Sequence, residues 1–419
     1  MLSRCTYIII LVVTIWQVGI IGDKRAIQPS PEQRLWLKDQ AGRLALCPGR
    51  QYRIRRVRGS KCRPGPPRSH TPQEPTLPAV QPPAGWPPGA VALLDNKRCA
   101  ALFRQVRWAD GLSCPHCGSP QVEPMPTATR WGIWRYRCLA CSAQAGRRVT
   151  FSDTTGTPFA SSHLSPAHWL LGVFQILGGS STLGLADDLN VTARTGTRWM
   201  RIVQIVIWEL LAEDHSPLDG ENEVDEVYVI SGWKGCPGGI KPDRPARRRG
   251  LKKRGRGDWA SDKPPVAAIV QRNGQLRVRV CRNLQQDTFR PWLLACLRRG
   301  ATVYTDSYAI YLFLTQAGFQ HHTVNHSAGE YARGQVHVNT TEGLWSLLRP
   351  YLRAFRGVSK VYLPLYVAVF AFIHQYRHLT TWQQSGVLLY HLCRCDGVRL
   401  RQIVRTNTVI QACNLPTEP

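Results

Sequence analysis

The chain has 419 residues, with 54 Lys and Arg against 27 Asp and Glu and a formal net charge of +27. Its length allows two or three domains. The positive excess argues against mere solubility and for a polyanionic partner, nucleic acid before an anionic membrane. The 14 cysteines would suit a secreted disulfide scaffold, but four stand in two tight pairs with metal-ligand spacing while the others scatter. A reducing cytoplasm fits that pattern better.

In chain order, the first segment is MLSRCTYIIILVVTIWQVGIIGDK, a basic residue followed by an apolar stretch. It resembles a signal-peptide core or short anchor but lacks a small-x-small cleavage site, and reads as a translated upstream sequence or dispensable extension. With the Arg-, Pro- and Gly-rich stretch that follows, residues 1–88 form a segment whose linker is too poor in apolar surface to order itself.

Residues 89–150 open with a short amphipathic helix in LLDNKRCAALFRQVRWADG and continue to CPHCGS and YRCLAC. Cys114, Cys117, Cys138 and Cys141 are separated by two, twenty and two residues. Paired Cys-x-x-Cys knuckles bring four thiolates to one ion, the closed tetrahedral shell of structural Zn2+, and the aromatic strand RWGIWRYRC suits a zinc ribbon.

Residues 151–215 read as helical. SPAHWLLGVFQILGG starts at Ser-Pro and stops at a Gly pair. STLGLADDLNVTARTGTRWMRIVQIVIWELL then has a helix-turn-helix rhythm, with its turn near Asn190-Val191-Thr192. Arg194 and Arg198 on the second helix are candidates for DNA contact. An ordinary helical hairpin has the same pattern; the adjacent ribbon and the charge favour DNA.

Residues 216–378 give strands in NEVDEVYVI, PPVAAIVQR and QLRVRVC, the last two joined at Asn273-Gly274, a strong hairpin signal. QDTFRPWLLACLRRG is a helix, ATVYTD a strand, YAIYLFLTQAG a helix, FQHHTVN a strand and NTTEGLWSLLR a helix. The order βββαβαβα is that of an RNase H-like mixed sheet. Between the first two strands lies RPARRRGLKKRGRGD, residues 244–258, with eight basic residues. Arg247, Arg248, Arg249, Lys252, Lys253 and Arg254 in this loop are candidates to follow a nucleic-acid backbone. The segment 379–419 is a C-terminal tail of unassigned role.

The order matters because of where carboxylates fall. Asp225 is in the first strand, Asp306 ends the fourth and Glu342 lies near the start of the last helix. Neighbouring first and fourth strands would bring both aspartates to one spot, and a helix crossing the sheet would bring Glu342. Three carboxylates repel unless cations bridge them, and oxygen-only ligands favour Mg2+ or Mn2+. Such a site suits in-line displacement at phosphorus. Glu226 alternates to the other strand face, and Asp262, Asp287 and Glu330 have no comparable sheet placement. On the last helix Asn339, Glu342, Ser346, Arg349 and Arg353 share one side, while Leu344, Leu347, Leu348, Tyr351 and Phe355 take the other. Asn339 with Glu342 also reads as a capping box, Arg349 as a phosphate contact, and Pro350 as a stop or kink.

From about Leu93 to His378 the chain resembles the zinc-ribbon DDE transposases of bacterial insertion sequences, the ISXO-like group. The resemblance is carried by RWADGLSCPHCGS, STLGLADDLNVTARTGTRWM, EVDEVYV, VYTDSYAIY, HVNTTEGLWSLLR and AFIHQYRH. The chain departs from the group at VISGWKG, at Val369 and at Pro350. The resemblance implies recognition of terminal inverted repeats, cut-and-join chemistry with Mg2+, and an acidic triad of Asp225, Asp306 and Glu342. It puts Asn339 and Arg349 at auxiliary active-site positions. The partners expected are DNA, at the element ends and the target, and further copies of the chain on DNA, with no small-molecule substrate and no firm membrane partner; the expected location is the nucleoid. A non-catalytic zinc-ribbon and helix-turn-helix regulator, or an RNase H-like nuclease without joining activity, are the alternatives.

Overall fold

A computed structural model describes residues 95–234 and 255–409. The apolar N-terminal segment, the Pro-rich stretch, and the loop residues Arg247, Arg248, Arg249, Lys252, Lys253 and Arg254 lie outside the described residues.

Helix α1 (Asn96–Arg107) begins where the Asp95 carboxylate accepts from the Arg98 backbone N–H, and buries Cys99, Ala100, Phe103 and Val106 along one stripe. A three-stranded antiparallel sheet follows, in the order β1 (Val122–Pro124), β2 (Arg135–Cys138), β3 (Thr150–Ser152). Helix α2 (Leu139–Ala145) leaves β2 at Cys138. Just after β3 the buried Asp153 accepts from Trp108 Nε1 (3.0 Å), the Tyr136 hydroxyl (2.9 Å), the Trp134 amide (2.7 Å) and Arg104 Nε (3.2 Å). One carboxylate thereby ties the small sheet to α1.

Next come α3 (Pro166–Leu177), α4 (Thr182–Asp188) and α5 (Ala193–Glu213). The α4–α5 turn falls at Asn190, which takes the left-handed conformation (φ 50°), and Thr192 caps α5 through its side chain. A Cβ on Gly196 would lie 3.0 Å from Ala186 Cβ and 3.2 Å from the Thr182 carbonyl, so the absent side chain lets the two helices approach. These are the two helices of the helix-turn-helix.

The larger sheet has five strands in the order β6-β5-β4-β7-β8. They are β4 (Glu221–Tyr228), β5 (Pro265–Gln271), β6 (Leu276–Val280), β7 (Thr302–Asp306) and β8 (Gln320–Val324). The first three run antiparallel, and β7 and β8 join β4 in parallel. Alternation along β5 divides two cores. Val266, Ala268 and Val270 pack under α8 (Asn339–Ala354) and α9 (Leu363–Gln375). Ala267 and Ile269 face α6 (Gln286–Cys296) and the single turn α7 (Phe313–Gln316). This is the RNase H-like mixed sheet, with the first and fourth strands adjacent as expected. A small hairpin, β9 (Ala332–Arg333) and β10 (Val336–His337), leads into α8.

Some local expectations need correction. YAIYLFLTQAG makes only a 3-10 turn at Ala309–Tyr311 and one α-turn. Asn339 does not cap α8: Val338 holds that position and no side chain of its own caps it. Pro350 does not end α8, which runs on to Ala354. Leu347 is exposed, and the buried stripe is Thr341, Leu344, Trp345, Leu348 and Leu352.

The segment expected as a tail forms α10 (Thr381–Leu392), begun by a full Thr380–Gln383 capping box, and α11 (Gly397–Thr406). Trp382, Leu388, Leu389, Leu392 and Leu400 enter one core with Phe103 of α1, Trp169 of α3 and Trp199 of α5. Among the described residues no helix is long and apolar enough to cross a membrane.

Candidate active site and zinc centre

The register of the sheet decides which carboxylates meet. β4 and β7 pair as Glu221↔Thr302, Asn222↔Val303 and Glu223↔Tyr304. Continued by two residues, this parallel register puts Asp225 abreast of Asp306. Asp225 is paired with Ala268 and Glu226 with Ala267, so Asp225 faces the α8 side and Glu226 the α6 side. Side-chain bonds agree: Trp345 Nε1 of α8 donates to Asp225 Oδ2 at 2.8 Å, whereas the Tyr311 hydroxyl donates to Glu226 Oε2 at 2.6 Å.

Burial pushes the Asp225 carboxyl up to about 6. The Trp345 N–H and the Glu226 amide pull it back, and the negative charges of Asp306 and Glu342 push it higher again. Asp306 accepts from the Tyr308 amide at 3.0 Å, and Glu342, in the first turn of α8, keeps half its side chain in solvent with His326 Nδ1 3.9 Å away. Glu226 is also pushed up, to about 7, chiefly by burial. Asp225 and Asp306 stand abreast on the sheet face crossed by α8, whose first turn carries Glu342.

Asn339 and Arg349 are both exposed on α8, on the side of Glu342. Arg194 and Arg198 are exposed at the start of α5. From the C-terminal end of the basic loop, Arg256 stacks over the Tyr308 ring at 3.4 Å, two residues beyond Asp306.

Sequence reasoning missed Glu223, Arg272, Trp345 and His326. Glu223 had a readable signal: it precedes Asp225 by two and so shares its strand face. Trp345 follows Glu342 by three, one helical turn.

In the small sheet, Cys114, Cys117, Cys138 and Cys141 offer four sulfurs that all lie within 4.8 Å of one another. Cys138 Sγ accepts the Cys141 amide at 3.3 Å. The Ser119 backbone N–H brings the Cys117 thiol down to about 7, while its partners push Cys141 up to about 12. Thiols so crowded compete for protons, and four thiolates at this spacing fit Zn2+.

The sheet order and the cysteine cluster define the class: a zinc ribbon joined to an RNase H-like core. Residues 217–374 match the ISXO2-like transposase domain, and residues 94–144 match the transposase zinc-ribbon domain. A protein described as an uncharacterized protein in transposable element ISH50, from Halobacterium salinarum, is 34% identical over 284 residues, 66% of this chain and 90% of that protein. An uncharacterized transposase-like protein of Haemophilus influenzae is 28% identical over 85 residues, 20% of this chain and 68% of that protein. No solved structure matches the chain significantly. The chain belongs to the ISXO2-like transposase family.

Proposed function

We propose that the chain is a DNA transposase that binds the terminal inverted repeats of an insertion sequence, cuts a strand at the element end and joins the freed 3′-hydroxyl to target DNA. Asp225, Asp306 and Glu342 are the catalytic carboxylates. The observation that supports this reading best is the parallel β4–β7 register, which sets Asp225 abreast of Asp306 on the sheet face crossed by α8, the helix whose first turn carries Glu342.

Divalent Mg2+ or Mn2+ bound there would activate the attacking oxygen and stabilise the leaving one. Asp225, held by the Trp345 N–H, Asp306 and the half-exposed Glu342 are the carboxylates that would hold it. In cleavage, the water oxygen bonds to phosphorus, the bond from phosphorus to the 3′-oxygen breaks, and that oxygen leaves as a hydroxyl. In joining, the oxygen of that hydroxyl bonds to a target phosphorus, the target's own bond from phosphorus to its 3′-oxygen breaks, and that oxygen leaves as a new 3′-hydroxyl.

Arg349 binds phosphate beside the triad, with Asn339 next to it. Arg194 and Arg198, with the Zn2+ ribbon, hold the element ends. The basic loop 244–258 contacts the DNA backbone, and two or more copies assemble on DNA. The location is the nucleoid of the cytoplasm.

The test is purified protein with DNA bearing its own element ends and Mg2+. Nicking and joining are expected. Asp225→Asn abolishes both while melting temperature and DNA binding hold. Metal-dependent cleavage that survives Asp225→Asn sinks the assignment.

A further inference from the structure

Glu223 lies on the same strand face as Asp225 and its side chain is fully buried. A buried carboxylate persists only among donors. Oε2 accepts from the Thr340 amide at 2.7 Å and the Thr341 amide at 3.2 Å. Oε1 accepts from the Thr340 hydroxyl at 2.8 Å and from Arg272 Nε at 2.9 Å, with His337 Nδ1 3.3 Å away.

The two amides belong to the first turn of α8, where N–H groups have no partner within the helix. Every other long helix that is capped by a side chain takes it from the residue just before it, as Asp95, Thr192, Thr380 and Asp396 do. Val338 cannot do this for α8. The cap comes from the strand instead, and its negative charge sits at the positive end of the helix dipole.

Arg272 braces the same point. Its guanidinium donates to the Gln335 and His337 carbonyls and lies over the Tyr304 ring at 4.1 Å. The network therefore grips the chain two residues before each member of the triad: Glu223 before Asp225, Tyr304 before Asp306, Thr340 before Glu342.

We propose that Glu223, capping α8 from strand β4, is a positioning residue that sets the spacing of Glu342 from Asp225 and so the affinity of the site for divalent metal. The inference rests on the catalytic reading above. Glu223 itself does not touch substrate or ion. A Gln in its place can still accept the Thr340 and Thr341 amides, but its –NH2 then meets Arg272 Nε–H, donor against donor.

The experiment compares wild type, Glu223→Gln and Thr340→Val, the last losing only the hydroxyl bond. Three quantities are read: hydrogen exchange of the Thr340 and Thr341 amides without metal, Mn2+ affinity by electron paramagnetic resonance, and cleavage at saturating DNA. Glu223→Gln is expected to speed the exchange, weaken Mn2+ binding by about 10- to 100-fold and slow cleavage, with excess metal restoring part of the rate and DNA affinity unchanged. Thr340→Val is expected to fall between, and it decides the matter if Glu223→Gln does not fold. Wild-type Mn2+ affinity in a folded variant overturns the inference, even where the melting temperature has dropped. Wild-type Mn2+ binding that ignores Asp225→Asn brings down the catalytic reading itself, and this inference with it.

Discussion

Asp153 is the joint between the zinc ribbon and the helical body, and its removal has a calculable effect. Its carboxylate accepts from Trp108, Tyr136, Trp134 and Arg104 with no exposure to solvent. Asp153→Ala leaves those donors without their acceptor. Breaking a buried charge pair costs about 3–5 kcal/mol, but Arg104 keeps its bond to the Gly132 carbonyl and part of its solvent contact. The low end, about 3 kcal/mol, is therefore the expected loss. It falls on local opening of the ribbon rather than on the five-stranded sheet. At 1.36 kcal/mol per tenfold, the open population rises by about 100-fold. Zinc release that proceeds through this opening, read with a chromogenic chelator, should quicken by about the same factor. Asp153→Asn, which keeps an acceptor oxygen, should show a smaller effect. A change below about threefold for Asp153→Ala would refute the claim that this carboxylate holds the ribbon in place.

Other outcomes can be checked independently. Purified protein should carry about one zinc ion per chain by atomic absorption, and Cys138→Ser should lose it together with protection of the ribbon from protease. Gly397→Ala should cost about 1–3 kcal/mol or more in denaturation, because a Cβ there runs into the Thr157 carbonyl group and the Pro158 nitrogen; an unchanged midpoint would contradict the docking of α11. Burial, helped by Arg377 and Arg394, lowers His374 and His391 from 6.5 to about 4. Between those values the unfolded chain binds protons that the folded one refuses, so stability should fall as pH drops from about 6.5 to about 4. His391→Gln should flatten that slope, and an unaltered slope would count against a buried neutral ring.

The elements whose alternation is written in the chain were legible: the strands, the Asn273-Gly274 hairpin and the paired cysteines. The adjacency of β4 and β7 followed from element order alone. What escaped was set by tertiary contact. Asn339 looked like a cap because its spacing to Glu342 matched a local rule, but a carboxylate from a distant strand, Glu223, took the task. Leu347 looked buried by periodicity, while the strip that faces the sheet is shifted to Trp345, whose N–H the Asp225 carboxylate requires. No local pattern marks α10 and α11 as companions of α1, α3 and α5, since the partners are separated by the entire sheet.

That separation has a consequence for how the protein is made. The helix pair at 182–213 emerges from the ribosome with an apolar flank that is closed by Trp382, Leu388, Leu389 and Leu400. These residues are synthesised only after every strand of the large sheet. The first helices must wait, exposed, while the sheet is built, which is when such a chain is most prone to aggregate or to meet a chaperone. A message cut short before residue 381 would yield ribbon and helices without their lid, not a free-standing DNA-binding module.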